Sequence, residues 1–191
     1  PRLIGLSVRN TDECYMSGAF FLPFVKDVVD AVRNCTDAPI VMGGVGFSVM
    51  PEAVMRYCRP DFGVAGEGEM SFARLADAVA VLSGTESIPN LLYWDGPSLE
   101  RTEPAYDAAD GLPRARSLVD NARYFREGGQ AGFETKRGCN MGCVYCADPL
   151  SKGRHVRVRS PRLVVDELKA LLKQGIDHFH TCDCEFNIPG D

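Results

Sequence analysis

Residues 136–148 read Lys-Arg-Gly-Cys-Asn-Met-Gly-Cys-Val-Tyr-Cys-Ala-Asp, and the interpretation of the whole chain starts from this stretch. Three cysteines, Cys139, Cys143 and Cys146, lie within eight residues with C-x3-C-x2-C spacing. A loop this tight directs three thiolates at one compact centre, and thiolates are the usual protein ligands of iron–sulfur clusters. If the cluster contains four irons, three cysteines leave one iron open to a small molecule.

A zinc site is the alternative that these cysteines allow. Its fourth ligand would be Cys182, Cys184 or His155. Zinc sites usually combine two Cys-x2-Cys or Cys/His pairs, whereas the second pair here is Cys-x-Cys. The spacing therefore favours an iron–sulfur cluster over zinc.

The stretch resembles the signature of the radical S-adenosylmethionine (SAM) enzymes. In that family three cysteines hold a 4Fe-4S cluster, SAM chelates the open iron, and one electron from the cluster releases a 5′-deoxyadenosyl radical. Arg137 and Gly138 fit the family pattern, as does an aromatic residue, Tyr145, just before the third cysteine. The resemblance implies that the three cysteines bind the cluster and that Tyr145 lies near the adenine of SAM.

The composition is that of a globular protein. The chain has 191 residues, of which 45% are hydrophobic and 25% are charged, enough for one large or two small domains. A net charge of -5 argues against general attraction to nucleic acid or to an anionic membrane. No apolar run approaches the ~20 residues that span a bilayer, and no signal peptide opens the chain. We therefore predict a cytoplasmic protein with neither nucleic acid nor membrane as partner.

Two smaller patterns have simple interpretations. The cysteines outside the triad follow no disulfide framework, so we expect reduced and mostly buried thiols at Cys14, Cys35, Cys58, Cys182 and Cys184. A run of basic residues follows the triad, and we interpret it as a solvated loop rather than a phosphate-binding patch. It comprises Lys152, Arg154, Arg157, Arg159 and Arg162.

Strands and helices alternate in the first third of the chain. Short apolar runs predict strands at 3–8, 40–42 and 62–65, and helical spacing of apolar residues predicts helices around 25–32, 52–57 and 71–82. Such alternation is typical of a parallel sheet covered on both faces by helices. Residues 91–102 predict a β-hairpin appended to this sheet.

Small and polar residues follow each of the three parallel strands. Ligands of open parallel sheets bind beyond the carboxyl ends of the strands, so the three loops are expected to share one rim. The rim lacks both the dinucleotide fingerprint and a phosphate-loop lysine, which indicates a larger ligand. Its candidate residues are Ser7, Arg9 and Asn10, then Gly43, Gly44 and Gly46, then Gly66, Glu67 and Gly68.

The Ser7-x-Arg9 and Gly43-Gly44 pair resembles the later half of the cobalamin (B12)-binding domain. There a serine after one strand and a double glycine after the next line the slot for the nucleotide tail. A radical SAM triad follows on the same chain, and this order is that of the cobalamin-dependent radical SAM enzymes. The resemblance implies that the rim residues contact cobalamin. The alternative is that the glycines serve only turns and helix starts.

The resemblance also implies the domain organisation. A Rossmann-like (flavodoxin-like) α/β domain at 1–102 would bind cobalamin, 103–130 would be a linker, and 131–191 would begin a partial (β/α) barrel. In this barrel 133–136 is the predicted first strand, and a helix follows Ser160 and Pro161. A strand at 176–186 would carry Asp183 and Glu185 on one face, at the family position that holds the SAM amino group, although the family's glycines are absent there.

By the same resemblance, the function is that of a cobalamin-dependent radical SAM methyltransferase acting on an unactivated carbon or phosphorus. The substrate would be a small molecule or peptide, and the electron donor a flavodoxin or ferredoxin. Two alternatives stay open, an oxidative cyclase or ring-contraction enzyme with the same cofactors, and a non-catalytic cofactor-binding module. A complete barrel needs more strand–helix units than follow residue 131, so we expect a fragment of a longer enzyme.

Overall fold

A computed structural model describes residues 1–13, 15, 18–81, 84–111 and 116–187. The chain divides into two compact units, Pro1–Tyr106 (unit 1) and Asp107–Asp191 (unit 2). Within the described ranges, no helix is long and apolar enough to cross a membrane. Leu82 and Cys14, for which the sequence made predictions, lie outside the described residues.

Unit 1 contains a mixed five-stranded sheet in the order β1-β2-β3-β4-β5. The first three strands are parallel and the last two form an antiparallel hairpin, as predicted. Small shifts apart, the strands fall where the apolar runs place them. They are β1 (Ile4–Ser7), β2 (Ile40–Gly43), β3 (Phe62–Val64), β4 (Leu91–Asp95) and β5 (Ser98–Arg101).

Helices cover both faces of this sheet. Since successive residues of β2 point to opposite sides, each face has its own core. Ile40 and Met42 join one core with α1, α2 and α3, and Val41 joins a second core with Leu75 of α4. Ile40, Met42 and Leu75 have no exposed surface. The helices are α1 (Leu22–Arg33), α2 (Val45–Val49), α3 (Pro51–Cys58) and α4 (Glu69–Val81), of which α2 was not predicted.

Unit 2 is built from short elements around a small core. Strand β6 (Ala131–Phe133) pairs in parallel with β9 (Phe179–Thr181), and β7 (Lys136–Arg137) pairs antiparallel with β8 (Arg157–Val158). The helices are α5 (Asn121–Gly128), α6 (Asp148–Lys152) and α7 (Pro161–Leu172). Ala131, Leu171 and Ile176 form the buried core.

Within the predicted linker at 103–130, residues 121–128 form α5, and Asp120 caps this helix by accepting the Arg123 N–H at 2.9 Å. The predicted strand at 176–186 is wrong on both sides of β9, which occupies only Phe179–Thr181. The residues after it, including Asp183 and Glu185, are irregular and do not show the alternation of a strand.

All seven cysteines in the described ranges are free thiols, as expected. The expectation that the cysteines outside the triad are mostly buried is wrong. Cys58 is buried, Cys184 is half-buried, and Cys35 and Cys182 are exposed.

Candidate functional site

The cysteine loop of unit 2 begins at a glycine that backbone packing requires. Gly138 has φ of 90°, and a Cβ there would overlap the His155 carbonyl oxygen. The Cys139 N–H then donates to the Gly153 carbonyl at 3.0 Å. Both contacts seat the start of the loop against residues 153–155, and any side chain at position 138 would displace it.

The three thiols of the loop differ in exposure. Cys139 is buried, whereas Cys143 and Cys146 are exposed and joined by a Cys146 N–H to Cys143 carbonyl bond of 3.3 Å. Among the described residues, no group of three or more His, Cys, Asp or Glu side chains lies close enough to hold a metal ion. The donor set still fits an iron–sulfur cluster by its chemistry, since three free thiols lie on one irregular loop with two of them facing solvent.

Cys184 and Cys182 belong to no group of three or more metal-ligating side chains among the described residues. Cys184 is half-buried, and burial together with a hydrogen bond to Asp148 raises the pKa of its thiol to about 12. Cys182 is exposed, and its sulfur lies only 2.8 Å from where a Cβ on Gly132 would be. The described residues therefore offer no support for the zinc alternative built on this pair.

Tyr145 lies at the exposed tip of the loop. Its side chain is 89% exposed, and Val144 beside it is fully exposed. A hydrogen bond to Cys143, reinforced by the charge of that cysteine, raises the pKa of the Tyr145 hydroxyl. The ring is thus accessible to a ligand held at the loop.

The two carboxylates predicted to bind SAM have different surroundings. Asp183 accepts the Thr135 N–H at 2.7 Å, the Thr135 hydroxyl, and the Lys136 N–H at 3.3 Å. These bonds fix the junction between β6 and β7, so Asp183 has a structural role there. Glu185 is exposed and lines a small cavity beside Cys139 and Gly138. Of the two predicted residues, only Glu185 faces the cysteine loop without being engaged in the fold.

The basic run is not simply a solvated loop, which corrects the interpretation from the sequence. Arg159 is 4% exposed, pairs with Glu167 at 2.8 Å and donates to the Glu134 carbonyl at 2.6 Å. Arg116 pairs with the same glutamate at 2.7 Å. Burial opposes ionisation of Glu167, but hydrogen bonds from both arginines outweigh it and lower the Glu167 pKa.

Arg157 donates to backbone carbonyls, and of this run only Arg154 and Arg162 are largely exposed.

The rim of unit 1 contains a cavity of about 560 Å³ at the carboxyl ends of β1, β2 and β3. It lies on the α4 side of the sheet, where small residues face α4. Gly5 pairs with Val41, and Ser7 pairs with Gly43, so glycine and serine leave the space that larger side chains would fill. Phe72 of α4 lies under Gly5, 3.2 Å from where a Cβ would be. Five predicted residues line this cavity, namely Ser7, Gly43, Gly44, Gly66 and Gly68.

The other four rim residues do not line the cavity. Arg9 and Asn10 are exposed, and Gly46 and Glu67 are buried. A Cβ on Gly46 would lie 2.8 Å from the Arg9 carbonyl oxygen, so this glycine serves the packing of α2. Gly44 combines both roles, since it lines the cavity but has φ of 99° and would place a Cβ 2.6 Å from the Val8 carbonyl oxygen. Turn and helix-start requirements therefore explain part of the glycine pattern.

No family model matches the chain. It is 35% identical over 98% of its length to a tryptophan 2-C-methyltransferase from Streptomyces laurentii. It is also similar to the solved radical SAM methyltransferase TsrM from Kitasatospora setae with cobalamin and a 4Fe-4S cluster bound, at 34% identity and a TM-score of 0.82 over 98% of the chain. The chain belongs to the cobalamin-dependent radical SAM enzymes.

This chain spans 40% of the curated relative and 38% of the solved TsrM chain. The fold is shared more widely within the family. The cobalamin-dependent SAM radical enzyme OxsB has a TM-score of 0.79 at 22% identity, over 97% of this chain. The likeness to these solved structures confirms the predicted α/β fold class with a sheet of parallel strands.

Sequence reasoning missed three residues that shape the rim cavity of unit 1. Ser48 accepts the Gly66 N–H at 2.9 Å and donates to the Gly44 carbonyl at 2.8 Å, which ties two rim loops together. Phe72 and Gly5 bound the cavity, although neither is polar or near a strand end. For Ser48 a signal existed, because a hydroxyl four residues after a glycine loop can bond back to the loop. Gly5 and Phe72 required knowledge of which sheet face α4 covers.

Proposed function

We propose that this chain forms the cofactor-binding part of a cobalamin-dependent radical SAM methyltransferase. The observation that carries the proposal is the presence of a rim cavity and a three-cysteine loop on one chain that is similar to TsrM, which has been solved with cobalamin and a 4Fe-4S cluster bound. Unit 1 would bind cobalamin, and unit 2 would bind the cluster and SAM. Together these groups supply radical and methyl-transfer chemistry that amino-acid side chains lack.

The rim cavity is suited to the nucleotide tail of cobalamin. Its walls are backbone and small side chains at Ser7, Gly43 and Gly68, which allow a flat heteroaromatic group to approach the sheet closely. Phe72 bounds the cavity on the α4 side with an aromatic surface. Arg9 and Asn10 are exposed after β1 and available to the corrin ring.

In unit 2 the roles divide between ligands and positioning residues. Cys139, Cys143 and Cys146 would hold the cluster as thiolates. Tyr145 would contact the adenine of SAM, and Glu185 would accept a charge-assisted hydrogen bond from the SAM amino group. Asp183 would support this site indirectly, by fixing the backbone of Thr135 and Lys136 through its three hydrogen bonds.

For the substrate, the relatives favour a small aromatic molecule. The curated relative is named for methylation of tryptophan at carbon 2, and a TsrM structure holds tryptophan together with a SAM analogue. We therefore take tryptophan as the first methyl acceptor to test, with a flavodoxin or ferredoxin as the electron donor. The wider proposal, methylation of an unactivated carbon or phosphorus through a 5′-deoxyadenosyl radical, is tested by the same assay.

The test uses the intact enzyme, reconstituted anaerobically with iron, sulfide and cobalamin, and SAM carrying a deuterated methyl group. We expect a product that retains the labelled methyl, detected by mass spectrometry, and none from the Cys143→Ser variant. Counting 5′-deoxyadenosine per product decides the route, since a substrate radical requires at least one per methylation. A cyclised or ring-contracted product without label would contradict methyl transfer and favour the oxidative alternative.

A further inference from the structure

Asn90 is a buried asparagine of unit 1 with a left-handed backbone conformation. It is 3% exposed, directly precedes β4 and has φ of 64°. Asparagine tolerates this conformation better than most other residues with a side chain. A buried amide side chain also needs partners for its N–H groups and for its carbonyl oxygen. The partners of Asn90 therefore show what this position does.

The backbone of Asn90 joins two segments of unit 1. Its carbonyl accepts the Ala65 N–H at 2.9 Å, and its own N–H donates to the Glu103 carbonyl at 3.2 Å. Ala65 directly follows β3 and begins the rim loop that contains Gly66 and Gly68. Glu103 lies beyond β5, near the end of unit 1. Asn90 thus connects a loop of the rim with the last residues of unit 1.

The side chain of Asn90 joins the same two segments again. Its carbonyl oxygen accepts the Ala105 N–H at 2.9 Å, and its Nδ2 donates to the Ala105 carbonyl at 2.8 Å. Nδ2 also donates to the Glu67 carbonyl at 3.3 Å and to the Ser71 hydroxyl at 3.4 Å. Because an amide nitrogen carries only two hydrogens, these two longer bonds share one of them. One side chain therefore links both backbone groups of Ala105 to the rim loop.

The rim loop held in this way bounds the cavity. Gly66 and Gly68 line the cavity, with Glu67 between them. Asn90 itself is not among the described residues that line it. Since glycines restrict the backbone little, the position of this loop depends on bonds from other segments. Asn90 provides two of them, at Ala65 and at Glu67.

We propose that Asn90 is a positioning residue for cobalamin, one that holds the loop at 66–68 in its binding conformation and couples this loop to residues 103–105. The inference rests on the proposed function, since it needs cobalamin to bind in the rim cavity. The apparent affinity of a ligand falls with the fraction of protein that is in the binding conformation. By linkage, a ligand that favours this loop conformation also favours the bonds from Asn90 to residues 103–105.

The experiment measures the cobalamin affinity of the intact enzyme by spectroscopic titration. Asn90→Asp keeps the shape and the acceptor oxygen of the side chain but replaces the Nδ2 donor. We expect it to bind cobalamin about tenfold more weakly, the effect of one hydrogen bond at the upper end of the usual range. In the wild type, cobalamin should also slow amide hydrogen exchange at residues 103–105, and Asn90→Asp should lack this response.

A second variant keeps the test independent of the buried carboxyl that Asn90→Asp introduces. Asn90→Gly removes the side chain, and glycine adopts the positive φ, so the backbone bonds to Ala65 and Glu103 can remain. We expect the same weakening of cobalamin binding and the same loss of the exchange response. If both Asn90 variants fail to fold, the wild type decides, because cobalamin that leaves exchange at 103–105 unchanged overturns the coupling.

Thr102→Val is the matched control for a loss of stability alone. The Thr102 hydroxyl donates to the Ile88 carbonyl at 2.7 Å and accepts the Leu91 N–H at 2.9 Å, so it also attaches the segment after β5. Neither of these bonds reaches the rim loop. We expect Thr102→Val to lower the thermal stability of the enzyme while its cobalamin affinity stays near the wild-type value.

Cobalamin binding by the wild type separates the two possible failures. If the wild type binds no cobalamin, the proposed function is wrong and the inference falls with it. If the wild type binds cobalamin and Asn90→Asp binds it equally well, the cobalamin assignment stands and the role of Asn90 is overturned. An equal loss of affinity in Thr102→Val would overturn it too, because general destabilisation would then explain the effect.

Discussion

The two candidate sites differ in how much of each is formed by the chain alone. In unit 1 the rim cavity is already shaped, because backbone contacts at Gly44 and the Ser48 hydroxyl fix the loops that bound it. In unit 2 the cysteine loop is seated at Gly138, but its thiols do not converge within the described residues. The first site is preorganised, whereas the second is of the kind that metal binding completes.

The largest expected effect is on the cysteine loop. Cys139→Ala, Cys143→Ala and Cys146→Ala should each abolish the cluster, because only three protein ligands are offered. Cys182→Ala and Cys184→Ala should retain it. Iron and sulfide analysis with visible spectra after anaerobic reconstitution measures this. Zinc in place of iron, or dependence on Cys182, would contradict the ligand assignment.

The stability of the two units should also respond differently to pH, because an ion pair contributes to unit 2 and an apolar core to unit 1. Arg159→Met leaves the half-buried Glu167 with Arg116 as its remaining arginine partner and should destabilise unit 2 by about 1.5–3 kcal/mol. In unit 1, Leu75→Ala should cost about 2–5 kcal/mol through cavity formation. Both are measured by denaturant unfolding.

The pH dependence follows from the sign of the Glu167 shift. Its folded pKa is lowered, so the stabilisation is present above the unfolded value of about 4.3 and is lost as pH falls through the folded pKa. The Arg159→Met penalty should therefore shrink in acid, while the Leu75→Ala penalty stays constant. An equal pH response of the two variants would show that Glu167 does not depend on Arg159.

The two carboxylates near the cysteine loop provide a finer comparison. Glu185→Gln should weaken SAM binding by ~1.5–3 kcal/mol, the value of a charge-assisted hydrogen bond. Asp183→Asn should lower thermal stability, because its three hydrogen bonds are internal. Calorimetry on the cluster-loaded enzyme measures the first effect and thermal unfolding the second. Unchanged affinity in Glu185→Gln would remove that residue from the SAM site.

The rim can be tested without disturbing its backbone. Gly44→Phe is expected to lose cobalamin, but a side chain there would also collide with the Val8 carbonyl oxygen. Gly68 also lines the cavity, and a Cβ on it would contact only Val64, at 3.7 Å. Gly68→Phe should therefore weaken cobalamin binding by overpacking, about 1–3 kcal/mol or more, with iron content unchanged.

The control for this variant is Ala73→Phe, which adds the same bulk at an exposed position of α4. Visible spectra after desalting report the bound cobalamin. If Gly68→Phe retains as much cobalamin as wild type, the vitamin lies elsewhere.

The sequence predicts features that consecutive residues determine, but not features that depend on contacts between distant elements. The strands β1 to β5 are predicted correctly because each lies within a few consecutive residues. The burial of Arg159 was missed, since it depends on Glu167 and Arg116, which come from other elements. The end of β9 was placed too late because Asp183 looks like a strand residue until its bonds to Thr135 are seen. The roles of Gly44 and Gly46 likewise required the position of residues 8–10.

The Ser48 hydroxyl has a kinetic consequence for unit 1. It bonds to backbone groups of two loops that follow different strands, and it does not line the cavity. Because this bridge holds the two loops together, losing either bond frees them to move apart, and a side chain that a bound ligand never touches then influences how fast the ligand leaves. We expect Ser48→Ala to shorten the residence time of cobalamin, measured by exchange with labelled vitamin, much more than it slows association.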